Sequence, residues 1–164
     1  MKKLLLNSAK TLRLVGLVIL AGAFTITQTG CSTEGCTEAT ATNFDDKADD
    51  DDGSCIFERD AIIGSYSVSG TVVCGVTANS TVSGVPFVIA SSTVANNKVV
   101  VTFLGVSLTG TVSASSFAID SQTTGIFTYT GSGSVIGNSI NVTFNEVDSA
   151  IPETCIYTLN GSRQ

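Results

Sequence analysis

The groups in this chain that could do chemistry are five cysteines, a run of aspartates and a pair of acids near the C-terminus. Glu146 and Asp148 would be the carboxylates of an acid–base mechanism, which needs one protonated and one ionised partner across a substrate. Nothing around them supports that use. Histidine is absent, so the commonest general base and metal ligand is missing. Lys98 has no Ser-x-x-Lys pattern beside it, which removes a serine–lysine dyad. Acids at the end of a strand are ordinarily solvated, and the chain reads as a non-enzyme. Its cysteines, Cys31, Cys36, Cys55, Cys74 and Cys155, serve better as a lipid attachment point and two disulfides than as nucleophiles.

The aspartates invite a calcium reading, because hard cations take clustered carboxylates. Gly53 follows Asp50 and Asp52 as in a calcium loop, but the first ligand position would be Ala48 and the twelfth Arg59. Asp50, Asp51 and Asp52 therefore stand as either a weak calcium site or a solvated acidic loop. No other cofactor is expected.

Three segments must position these groups. Residues 1–30 read as a signal peptide, with Lys2, Lys3, Lys10 and Arg13 around an apolar core from Leu14 to Phe24. That core is too short to span a bilayer, which takes about 20 apolar residues. Four bases against fourteen acids remain beyond the leader, a net charge of −10, which would repel phosphate backbones and excludes nucleic acid as a partner. Residues 31–60 hold ten of those acids against Lys47 and Arg59 and form a separate acidic unit. Residues 61–164 are rich in Val, Thr, Ser and Gly, a composition suited to strands and turns.

In the last segment Tyr66, Val68, Gly70, Val72 and Cys74 share one parity, and Ile140, Val142 and Phe144 alternate with polar neighbours. Further strands are expected over 85–91, 98–104, 107–112, 116–120, 126–132 and 154–159. Asn96-Asn97 and Gly137-Asn138 are expected to turn tight hairpins through positive φ. About eight strands without a crossover helix imply an all-β antiparallel meander, either an up-and-down β-barrel or a β-sandwich. In a closed meander the first and last strands are neighbours, which brings Cys74 to Cys155. Seven aromatics (Phe87, Phe103, Phe117, Phe127, Tyr129, Phe144 and Tyr157) are expected to fill the interior, and no polar group is expected inside.

Four resemblances add to this reading. Thr29-Gly30-Cys31 resembles the lipobox of bacterial lipoproteins, although Gln28 replaces the usual aliphatic residue. It implies a lipid on Cys31 and an outer-membrane anchor, on the periplasmic or cell-surface side. The alternative is ordinary cleavage after Ala21-Gly22-Ala23 with Cys31 left as a free thiol. Gly35-Cys36-Thr37, Ala41, Asn43-Phe44, Ala48 and Asp51-Asp52-Gly53-Ser54-Cys55 resemble a short module of Gram-negative surface and secreted proteins. So small a unit lacks a core, so a Cys36–Cys55 bridge contributing about 3 kcal/mol is its natural staple, with Phe44 as its packed ring. Gly64-Ser65-Tyr66 with Arg163 resembles the lipocalin-like (calycin) arrangement, in which a late arginine covers a ring at the start of the barrel. The other reading of Tyr66 is an ordinary core aromatic. Asp148-Ser149-Ala150 resembles a Gram-negative O-glycosylation acceptor. The implied function is a lipid-anchored binding module for a small apolar ligand or a protein partner. The alternative is a structural envelope lipoprotein with a filled core.

Overall fold

A computed structural model of the protein describes residues 32–151 and 153–164. The leader and the lipidation residue Cys31 lie outside the described residues. Residues 33–164 form one unit. Two short strands, β1 (Glu34–Gly35) and β2 (Asp50–Asp51), and a 3-10 turn η1 (Glu58–Ala61) precede eight longer strands. These are β3 (Gly64–Cys74), β4 (Ser80–Ser91), β5 (Lys98–Phe103), β6 (Val106–Ser113), β7 (Ser116–Thr124), β8 (Phe127–Ile136), β9 (Ser139–Asp148) and β10 (Glu153–Arg163).

Each long strand pairs antiparallel with its sequence neighbour, and β10 pairs with β3 to close the barrel. Of the two architectures left open by the sequence, the barrel is the one formed. The inward side chains occur at every second position: Tyr66 and Val68 on β3, Val99, Val101 and Phe103 on β5, Ile140, Val142 and Phe144 on β9. That alternation follows from the pleat, and one buried face fixes the register of every strand. The closing seam runs from Cys155 opposite Cys74 to Arg163 opposite Tyr66. Gly70 and Gly161 lie on this seam where strands cross closely. A Cβ on Gly70 would stand 2.9 Å from the Leu159 Cα, and one on Gly161 2.8 Å from the Val68 Cα. Only glycine permits that approach.

The Cys74–Cys155 disulfide joins directly opposed residues, 4.1 Å apart between Cα atoms. Four hairpins are two-residue turns, at Leu104-Gly105, Ala114-Ser115, Gly125-Ile126 and Gly137-Asn138. Gly137 has the positive φ expected of it. Asn96-Asn97 does not turn a tight hairpin: β4 and β5 are joined by six residues, 92–97, without a positive φ among them. A longer loop fits here because Arg59 donates from Nη1 to the Ser92 and Ala95 carbonyls (3.0 and 2.7 Å), supplying the bonds a tight turn would make internally.

The acidic segment is tied by Cys36–Cys55. Asn43 acts as a backbone surrogate, donating to the Ser54 carbonyl and accepting from the Ile56 N–H, both at 2.7 Å. Phe44 is not its packed ring. It is 45% exposed, because disulfide and amide bonds hold the loop and leave no apolar pocket for a ring. Strands β1 and β2 form a two-residue parallel ladder, Glu34 with Asp50 and Gly35 with Asp51. A parallel pair was not expected without a crossover helix, but the fourteen residues between these strands suffice for so short a ladder.

Candidate functional site at the barrel mouth

The two ends of the barrel are built differently. At the end reached by the acidic segment, η1 lies across the opening and Ile62 is fully buried beneath it. The Tyr66 hydroxyl donates to the Ile62 carbonyl (2.6 Å). Arg163 donates from Nη2 to the Tyr66 oxygen (2.9 Å) and to the Ala61 carbonyl (3.0 Å), with its guanidinium 5.3 Å from the ring centroid. Burial pushes the Tyr66 hydroxyl above its ordinary pKa despite the adjacent cation. Glu58 accepts the N–H of Ala114, a residue held at φ 52°. This end is sealed.

At the far end a small pocket lies among the strand ends. Its wall includes Phe103, Phe144 and Tyr157, with Phe144 and Tyr157 stacked at 4.2 Å and Phe103 edge-on to Phe144 at 5.4 Å. Glu146 continues the inward parity of β9 beyond Phe144 and lies opposite Tyr129 and Cys155 in the ladders. A carboxylate therefore sits inside the mouth, where sequence reasoning placed no polar group. The parity of Val142, Phe144 and Glu146 carried that signal, but an acid near a strand end also reads as solvated. Tyr129 and Tyr157 line the same small pocket as Glu146. Burial first, then the Glu146 charge, pushes the Tyr129 hydroxyl up to about 12 and raises Tyr157 as well, since a phenolate beside a carboxylate is costly.

The space enclosed by these groups is about 30 Å³. The seven aromatics all join the core cluster or pack against it, as expected. Leu104, at φ 48° and 58% exposed, overhangs the mouth, and Val76, Ile126 and Ile151 add exposed apolar groups on neighbouring turns.

The two acids suggested as a catalytic pair do different things. Asp148 accepts from the N–H groups of Ala150 and Ile151 (2.7 and 3.3 Å) and so holds its own turn, while Glu146 faces the tyrosines. Ser149, in the glycosylation-like triplet, is exposed and donates to the Ile126 carbonyl at 2.9 Å. Glu153, missed in the sequence, accepts from the N–H groups of Val76 and Thr77. Those bonds, Thr77 first, hold its carboxyl below the ordinary range.

Asp50, Asp51 and Asp52 are not brought together. Asp51 accepts from the Gly53 N–H (3.1 Å) and Asp52 from the Ser54 N–H (2.9 Å), and the Ser54 bonds lower the Asp52 pKa. Among the described residues, the three ligand-type side chains that converge are Cys74, Glu153 and Cys155, and both cysteines are already bonded to each other. On the outer wall Lys98 pairs with Asp120 at 2.7 Å, with Thr111 also donating to that carboxylate at 2.9 Å. Both partners are partly exposed, so the pair contributes at most about 1 kcal/mol.

No family model matches this chain, and no curated protein matches it. Among solved structures, a chain provisionally described as an outer membrane protein of Bacteroides fragilis aligns with a TM-score of 0.51 at 19% identity. The alignment covers 65% of this chain and 52% of the other, so this chain spans about half the length of the structure it matches. At that identity the likeness establishes the shared fold alone.

Proposed function

We propose that this protein is exported, held at the outer membrane by a lipid on Cys31, and acts as a non-catalytic binding module through the open mouth of its barrel. The carrying observation is the asymmetry of the ends. The end reached by the acidic segment is sealed by η1, Ile62 and the Arg163–Tyr66 contact, while the far end presents Glu146, two tyrosines and an apolar lip. Two disulfides favour an oxidising compartment, and the outer-membrane description of the Bacteroides protein points the same way. The contact of Arg163 with Gly64 and Tyr66 supports a lipocalin-like reading of the barrel.

An interior of about 30 Å³ does not suit carriage of a sizeable apolar ligand, for which pockets run to roughly 300–1,000 Å³. Binding is therefore assigned to the lip of the barrel rather than to a calyx. That same filled interior favours the second reading, a structural envelope lipoprotein, and the two differ in whether the mouth has an occupant.

Labelled palmitate fed to the native host should enter the protein and leave it in the membrane fraction, with both effects lost in Cys31→Ser. Label retained by Cys31→Ser would remove the anchor. Native mass spectrometry of the host-purified protein then separates the two roles. An adduct released on denaturation favours binding, and a clean apo mass favours the structural role.

A further inference from the structure

The mouth has a chemistry that specifies more than binding in general. Glu146 supplies a carboxylate on the inward face of β9, with Tyr129 opposite it in the ladder and Tyr157 lining the same pocket. A phenolic oxygen carries lone pairs as a carboxylate does, so three separate residues bring acceptors to one small space. The walls are aromatic: Phe103 meets both Phe144 and Tyr157 edge-on, at 5.4 and 6.1 Å.

The charges at this end are of one sign. Glu146 and Asp148 end β9, and Glu153 begins β10. The two bases of the barrel are elsewhere, Lys98 at the far end of β5 on Asp120 and Arg163 at the sealed end on Tyr66. A mouth lined by like charges and low-dielectric walls focuses a negative field outward. The opening has room for a water-sized group and not for a ring or a folded chain, given about 30 Å³. Leu104 lines it, exposed and in a left-handed conformation that leucine rarely adopts.

We propose that the mouth binds a primary ammonium group carried on an aliphatic chain, with Glu146 as counter-ion, the Tyr129 and Tyr157 oxygens as further acceptors, and Leu104 against the chain. The inference rests on the binding reading above and names its ligand class. A primary ammonium has three donors, matching three acceptor residues, and its positive charge gains from the aromatic walls. A quaternary ammonium donates nothing to these acceptors. A neutral alcohol lacks the charge that Glu146 answers. The ammonium could be that of a free amine or of a lysine side chain on a partner, and the chemistry is the same.

Titration calorimetry on the full-length mature protein tests this with n-butylammonium, 1-butanol and tetramethylammonium at neutral pH. Butylammonium should bind saturably, and the other two about tenfold more weakly or worse, the step expected when a charge-assisted contact is lost. Glu146→Gln should weaken butylammonium by a similar factor, and Tyr157→Phe by less, with melting temperatures recorded to show that both variants fold. Nα-acetyl-lysine methylamide identifies the source: binding tighter than butylammonium points to a partner's lysine, weaker binding to a free amine. Equal affinity for butanol and butylammonium, undiminished binding by folded Glu146→Gln, or no heat with butylammonium overturns the proposal. A host-derived adduct that is not an amine would overturn it while leaving the binding reading intact.

Discussion

Removing the seam disulfide should cost more than removing the disulfide of the acidic segment, and the difference can be worked from loop length. Cys74 and Cys155 are 81 residues apart, Cys36 and Cys55 only 19. In the chain-entropy relation these loops correspond to roughly 4.5 and 3.2 kcal/mol at 25 °C. Both cysteines of the seam pair are only partly buried, so truncation to alanine leaves little cavity, and the ladder from Cys155–Cys74 to Arg163–Tyr66 remains to hold the native strands together. The cost therefore arises in the unfolded chain, which regains an 81-residue loop. Urea denaturation of Cys74→Ala/Cys155→Ala, Cys36→Ala/Cys55→Ala and the parent, all without reductant, measures this. The seam variant should lose about 4–5 kcal/mol, a large part of a stability of ordinary size, and its m-value should rise as the unfolded chain exposes more surface. A loss below about 1.5 kcal/mol with an unchanged m-value would refute the reasoning, because it would leave the unfolded state unaffected by the cross-link.

Other perturbations test the packing and the charges. A methyl on Gly133 would meet the Phe117 ring (Cε1 at 2.7 Å) and the Asn141 carbonyl (2.9 Å), so Gly133→Ala should cost about 2 kcal/mol in urea denaturation. Gly75→Ala, with nothing within 4 Å, should stay within about 0.5 kcal/mol. Glu153 has a lowered pKa from its bonds to the Thr77 and Val76 N–H groups, so its charge contributes stability that is full above its ordinary value of 4.5. Glu153→Gln should thus be less stable than the parent at neutral pH. The gap should close as pH falls below about 4.5 through the lower folded value, and a gap that widens in acid would contradict the assignment. Millimolar calcium should leave the melting temperature unchanged, since Asp51 and Asp52 already accept their own turn's N–H groups. A rise of several degrees would restore a calcium site at Asp50, Asp51 and Asp52.

The barrel was legible because a strand with one buried face writes period two into the sequence, and all eight long strands have such a face. Closure was legible for a second reason. Two cysteines of inward parity, one on the first strand and one on the last, are consistent with neighbouring strands, and the ladder sets them opposite each other. What escaped the sequence depends on long-range partners. The 92–97 loop looks like a tight turn until Arg59, 33 residues earlier in the chain, donates to the Ser92 carbonyl. Phe44 looks like a core ring until Asn43 takes over the task of holding the loop. Glu153 looks like a solvated acid until the β3–β4 loop folds back to give it two N–H groups.

The same logic explains why the candidate site was visible in pattern yet not recognised. In an eight-stranded barrel the inward positions of the middle layers must be apolar, because they have no access to water. That constraint relaxes at the ends, where an inward polar group can keep some solvent. At one end this protein removes the freedom with η1 and pairs polar groups internally: Tyr66 bonds Ile62, and Arg163 bonds Tyr66 and Ala61. At the other end Glu146 occupies an inward position in a pocket it shares with Tyr129 and Tyr157, and no described base stands near it. A tyrosine hydroxyl cannot neutralise a carboxylate, and burial first, then the Glu146 charge, suppresses the ionisation of both tyrosines. A purely structural mouth would be more stable with an apolar residue at position 146, as the apolar positions beneath it illustrate. The carboxylate is therefore the feature of this barrel that a filled core does not require, and a cation arriving from outside is what would complete it.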